Sequence, residues 1–319
     1  MYYNTEIDTI VLKIDCKSTT EQKGILEDIK FLLNQLNLFY KYNTKPIYLS
    51  SLKTIDKHDL IIYHSNTILA VIKTGYSSKQ FYITIEFAGL KSYNEKQDKQ
   101  SNNYLLRLAS YLNCNYIPFK IIELDICLDI IESNYKDVLS VCMKKQPKVD
   151  YYKVDDKSLN YESTLYLEKI EKEKLKLTSI RSYLYDKSIK ENIKDLSITR
   201  FEIKFQPKYF INAGEDISKI SEHCKRYYTF LLVNKSDRDK ILKVLNKGAR
   251  LNKTEKKLLE QFRVNHDIKI VENFIKKIKN IKLDADLENK RMKQDKKIID
   301  FNFFNRNKDL SVENFIYTN

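Results

Sequence analysis

The sequence predicts an α+β fold, with a mixed or antiparallel sheet as its core, helices flanking that sheet and a helical C-terminal region. Three observations predict it. Several short runs alternate apolar and polar residues, as half-buried strands do. A capped amphipathic pattern near the N-terminus reads as a helix. From about residue 214 onward the apolar period changes to that of helices.

The first strand covers residues 8 to 14. Ser18, Thr19, Thr20 and Glu21 then form a capping box, and Ile25, Ile29, Leu32, Leu33 and Leu36 follow at helical spacing, which predicts a helix from about 19 to 40. Two apolar runs around Ser65 and Asn66 read as a hairpin. FYITIEF at 81–87 is a further strand, and Leu105, Leu106, Leu108, Ala109 and Leu112 place a short helix over Asn102–Asn113. A central strand is expected from about 119 to 131, and a helix near 134–143. The polar stretch 144–163 reads as a long loop or a joint. Strands follow at Thr164–Glu168, Ile180–Asp186 and Ile198–Gln206, then helices at Ile217–Leu232, Ser236–Asn246, Thr254–Val264 and Ile268–Ile281. The expected division is residues 1–210 as one domain and 211–319 as a basic helical region that binds DNA or caps the sheet; the tail after about 290 is expected to be loosely ordered.

Composition bounds the function class. No apolar run approaches the roughly 20 residues that span a bilayer, and the N-terminus has no signal-like region, so a cytoplasmic protein without a membrane partner is expected. Cys16, Cys114, Cys127, Cys142 and Cys224 contain no C-x-x-C pair and the four histidines lie far apart, which argues against a zinc site or a disulfide framework. The net charge of +14 points to a polyanionic partner, although a lysine-rich chain also gives a merely solvated surface. Residues 241–319 hold 19 Lys and Arg against 11 Asp and Glu, compared with 38 against 32 in the preceding 240, so the C-terminal quarter is the better nucleic-acid surface. The segment 235–262 has the rhythm of two helices around Gly248, as in a helix-turn-helix or a helical cap on the sheet.

Chemistry concentrates on three strands. In IELDICLDI at 122–130, alternation sends Leu124, Ile126, Leu128 and Ile130 to one face and Glu123, Asp125, Cys127 and Asp129 to the other. Carboxylates crowded on one face repel unless a cation lies between them. An all-oxygen donor set selects Mg²⁺ or Mn²⁺, able to clamp a phosphodiester; a solvated strand face is the alternative. In TRFEIKFQ, Arg200, Glu202 and Lys204 share a face. In SIRSYLYDKSIKE, Arg181, Tyr183, Tyr185 and Lys187 do so. A phenol ionises near pH 10, so a tyrosine nucleophile needs a cation such as Lys187 or a bound metal close by.

The order FAGL at 87–90, LLRLASYL, IIELDICLDI, STLYLEK, SIRSYLYDKSIKE and ITRFEIKF resembles the trans-acting rolling-circle replication initiators of plasmids and filamentous phages, over about residues 80–210. The resemblance implies a site-specific endonuclease, a nickase that starts replication at an origin with a divalent ion and a tyrosine. It places Asp125 and Asp129 on the family's paired aspartates, Glu202 and Arg200 on its R-F-E, and Tyr185, Asp186 and Lys187 on its Y-D-K. Glu123 is a further expected metal ligand, and Arg181, Arg200 and Lys204 are expected to hold phosphates. The expected nucleophile is Tyr185, with Tyr183 second and Tyr166 third. Departures from the family pattern are Glu123 and Leu124 before the first aspartate, LEK after Tyr166, and Tyr183 where the family carries arginine. The implied partners are double- and single-stranded origin DNA, a host helicase, and a second copy of the chain on an inverted repeat. A mobilisation relaxase of an integrative element and a non-catalytic DNA-binding regulator of copy number are the alternatives.

Overall fold

The structure is a computed structural model that describes residues 3–44, 47–48, 54–55, 59–64, 67–87, 90, 95–133, 137–144, 151–154, 159–161, 164–166, 179–191, 193–213, 220, 229–264 and 269–281. Its first half runs β1 (Tyr3–Cys16), α1 (Thr19–Gln35), β2 (Phe39–Tyr42), β3 (Ile47–Tyr48), β4 (Thr54–Ile55), β5 (Leu60–His64), β6 (Thr67–Ser77), β7 (Gln80–Phe87), α2 (Glu95–Cys114) and β8 (Phe119–Ile131). Next come β9 (Val138–Lys144), β10 (Tyr151–Val154), β11 (Leu159–Tyr161), β12 (Thr164–Tyr166), β13 (Ile180–Asp186), α3 (Lys187–Glu191), β14 (Ile198–Phe205) and α4 (Pro207–Ala213). The chain continues with β15 (Thr229–Leu232), α5 (Lys235–Leu245), a 3-10 turn at Gly248–Arg250, α6 (Lys253–Phe262), β16 (Arg263–Val264) and α7 (Lys269–Asn280).

The class is α+β. Ten strands form one sheet in the order β11-β12-β13-β14-β8-β1-β7-β6-β5-β2, in which neighbouring strands pair antiparallel. One face of it, here the back, is apolar. Ile10, Leu12 and Ile14 of β1 and Leu124, Ile126 and Leu128 of β8 pack there against Ile25 and Ile29 of α1, Leu105 and Leu108 of α2, and Val271, Ile275 and Ile278 of α7. Burial of these side chains, each worth roughly 1.5–3 kcal/mol, holds α7 on the same core as the strands. Ser18 caps α1 as expected, accepting from the Glu21 amide at 3.1 Å.

Three expectations change. The helix expected near 134–143 is strand β9, and the polar stretch 144–163 contains β10 and β11 rather than loop alone. The last four residues of the helix expected at Ile217–Leu232 are strand β15; most of the rest of that span lies outside the described residues, as does the tail after 290. Short apolar runs suit helix or strand equally, and tertiary pairing decides here: β9 lies between β10 and β15 in a second sheet ordered β10-β9-β15-β16. A smaller core of Leu139, Leu231, Val233, Ile241, Val244, Leu245 and Leu259 joins that sheet to α5 and α6. Gly248, at φ 58°, makes the left-handed turn between those helices.

Strand β1 carries a bulge that alternation along the chain hides. Ile7 pairs with Ile126 and Thr9 with Asp125, leaving Asp8 as an inserted residue. Both Ile7 and Ile10 lie in the apolar core although they are three positions apart. A regular strand would send one of them to each face. The bulge reconciles the two and turns Asp8 to the opposite, front face.

Candidate active site

The front of the sheet carries polar side chains in transverse rows, because residues opposite one another in an antiparallel ladder share a face. One row runs Tyr185, Arg200, Asp129. The next runs Tyr183, Glu202, Cys127, Glu6. A third runs Arg181, Lys204, Asp125, Thr9. Nine of the expected site residues, Glu123, Asp125, Asp129, Arg181, Tyr183, Tyr185, Arg200, Glu202 and Lys204, lie on one face, on strands β8, β13 and β14. Lys187 opens α3, where the alternation of β13 has ended, and Asp186 accepts there from the Ile189 amide at 3.0 Å.

The first row is the centre of an ion cluster that Asp8, partly exposed on the β1 bulge, completes. Arg200 Nε and Nη2 donate to Asp129 Oδ1 and Oδ2 at 2.6 and 2.7 Å, a bidentate pair, and Nη1 donates to Asp8 Oδ1 at 2.6 Å. Arg200 and Asp129 are each 0% exposed. Hydroxyls from the first and second rows converge on one carboxylate of the second. Tyr183 donates to Glu202 Oε1, and Tyr185 donates to Glu202 Oε2 at 3.0 Å, with the two rings stacked 6.1 Å apart. Burial, and then the Glu202 charge, push both phenols well above their ordinary value; beside Tyr185 the Arg200 charge works in the other direction. Tyr185 is 2% exposed, whereas Tyr183 is half-buried. In the third row the Lys204 ammonium bridges Glu123 and Asp125, the latter at 3.2 Å.

A divalent-ion cage fits these residues poorly. Among the described residues no group of three or more His, Cys, Asp and Glu converges on a point. Both Asp129 oxygens accept from Arg200, both Glu202 oxygens accept from phenols, and Glu123 and Asp125 share an ammonium. Where an ammonium and a divalent ion lie about 4 Å apart, their repulsion is roughly 8 kcal/mol at an effective dielectric of about 20. The crowded carboxylates of the sequence are real, and what relieves their repulsion is protein cations and phenols from the neighbouring strands.

Two residues of the site escape sequence reasoning. Asp8 reads as the start of the first strand, and only the Ile7-to-Ile10 spacing of three signals the bulge that brings it to Arg200. Lys190 lies on α3 with its ammonium 4.4 Å from the centre of the Tyr185 ring, a cation–π contact. It brings a cation to the Tyr185 ring three residues after Lys187, the lysine expected there from the sequence.

No protein-family model matches the chain, and no curated protein matches it. Among solved structures it is similar to one described as the rolling circle replication initiator protein from Geobacillus stearothermophilus. Identity is 12%, coverage is 82% of this chain and 97% of that chain, and the TM-score is 0.41. A likeness at that score carries no weight for function.

Proposed function

We propose that the protein cleaves one strand of DNA through a tyrosine and remains joined to it, as an initiator of rolling-circle replication does. One observation carries this reading. Two stacked phenols share the carboxylate of Glu202 on a sheet face that also presents Arg181 and Lys204, and the segments that supply them follow the order expected of such initiators.

In the proposed step a phenol oxygen attacks a phosphodiester phosphorus. The O–P bond to the tyrosine forms as the P–O3′ bond breaks, Glu202 takes the phenol proton, and water supplies the proton to the departing 3′ oxygen. The product is a 5′-phosphotyrosyl link whose ester energy is kept for rejoining. Arg181 and Lys204, neighbours in the third row, hold the phosphate against that attack. The difference in exposure favours Tyr183 over Tyr185 as the attacking group, the reverse of the order expected from motif position. Tyr185 then helps orient Glu202, with Lys190 against its ring. No step is routed through a metal ion.

Recognition of the duplex is assigned to α5 and α6. These helices pack on the small second core and leave Lys253, Lys256, Lys257 and Arg263 exposed. A capping box of Asn252 and Glu255 sets the start of α6, and Lys247 pairs with Glu255 across the turn. The same chemistry serves mobilisation of an integrative element.

The test is incubation with supercoiled DNA bearing this coding sequence and its flanks, then digestion and mass spectrometry of tyrosine peptides. A nicked circle with a nucleotide on Tyr183 is the expected result. A nucleotide on Tyr185 reassigns the nucleophile, and binding with neither nick nor adduct removes the enzyme.

A further inference from the structure

We infer that Lys204 supplies from within the chain the positive charge a divalent ion would bring, so that cleavage runs with no divalent ion between Glu123 and Asp125. The inference rests on the nickase reading for its catalytic half only.

The Lys204 ammonium contacts both Glu123 and Asp125, with Asp125 Oδ2 at 3.2 Å. This pair is the two carboxylates of β8 left after Arg200 has taken Asp129. It is therefore where an oxygen-seeking cation would bind, since Mg²⁺ is commonly held by one or two carboxylates and its own waters. Lys204 is 8% exposed and lies on β14, which is paired on both sides, so its stem enters the site from a rigid strand. Arg181 is its neighbour across the ladder and brings a second fixed charge to the same row. A phosphate entering beside Tyr183 would meet the Lys204 amine group and the Arg181 guanidinium, the latter always charged. This placement needs Lys204 two residues beyond Glu202, on the same face of the strand, as the sequence RFEIK provides.

Manganese binding reads the inference apart from activity. Calorimetric titration of the full chain with Mn²⁺ should show no saturable site, and Lys204→Ala should create one that Asp125→Asn in the same chain removes. In parallel, wild type should nick DNA equally in EDTA and in Mg²⁺. Lys204→Ala should lose on the order of 100-fold in EDTA, the usual cost of removing one preorganised electrostatic group, and recover in Mn²⁺. A saturable Mn²⁺ site in wild type that Asp125→Asn abolishes overturns the inference, as does wild-type nicking that stops in EDTA and resumes in Mg²⁺. Failure of Lys204→Ala to gain Mn²⁺ overturns it as well. If Lys204→Ala does not fold, Lys204→Met and the wild-type titration still decide. A protein that nicks in no buffer, yet binds Mn²⁺ only once Lys204 is replaced, loses the nickase reading and keeps the charge substitution.

Discussion

Arg200 grips Asp129 through two parallel hydrogen bonds of 2.6 and 2.7 Å, and neither side chain is exposed. Breaking one half of a buried pair strands the other charge in a low-dielectric interior, at about 3–5 kcal/mol. Asp129→Asn should therefore lower the free energy of urea unfolding by about that amount. An Asp129 kept only as a metal ligand would leave unfolding unchanged.

Asp8 is the second carboxylate on Arg200, partly exposed and on a bulge. Asp8→Ala should cost about 2 kcal/mol, in the range for hydrogen bonds to charged groups. Deleting Asp8 altogether should cost no more. Removal of the inserted residue puts Ile7 and Ile10 two positions apart, on one face of a regular strand. Urea midpoints of the two variants give the comparison.

Tyr183 and Tyr185 both titrate well above the ordinary phenol value of 10.0, chiefly because they are buried. A folded-state pKa above the unfolded one gives stability that is complete below pH 10 and declines as pH rises beyond it. There the unfolded chain releases protons that the folded chain keeps. The slope is about 1.4 kcal/mol per pH unit for each such tyrosine. Unfolding free energies measured from pH 8 to 11 should be flat and then fall, more shallowly in Tyr185→Phe. A curve of unchanged slope in that variant contradicts the burial assigned to this phenol.

The basic face of α6 predicts a salt-dependent duplex affinity. For each phosphate contact made by Lys253, Lys256 or Lys257, alanine should reduce the slope of log affinity against log salt by about 0.9. Fluorescence anisotropy on duplex DNA measures it. These changes should leave cleavage of a short single-stranded oligonucleotide intact, since α6 packs with the small second core and not with the rows of β13 and β14.

Much of this architecture was legible along the chain. IELDICLDI, SIRSYLYD and ITRFEIKF are clean period-two strings, and β8, β13 and β14 form where that period places them, with the chemistry-bearing residues on the face opposite the Leu and Ile residues of β8. Alternation is a local property, fixed by the geometry of an extended backbone. Residues 138–143 and 229–232 read as helix along the chain because four or five apolar residues satisfy either period. Only their pairing with each other chose strand.

The sequence by itself determined which residues share a face: Asp125 and Asp129 on one strand, Arg200, Glu202 and Lys204 on another, Tyr183 and Tyr185 on a third. It did not determine how those strands are aligned with one another. That alignment set Arg200 against Asp129, Glu202 against both phenols and Lys204 between Glu123 and Asp125. Charge partners are chosen across the hydrogen-bonded sheet, between residues as many as 192 positions apart. Only the packed sheet set a cation or a phenol hydroxyl against each carboxylate of the row, because side chains far apart in the chain meet across its strands.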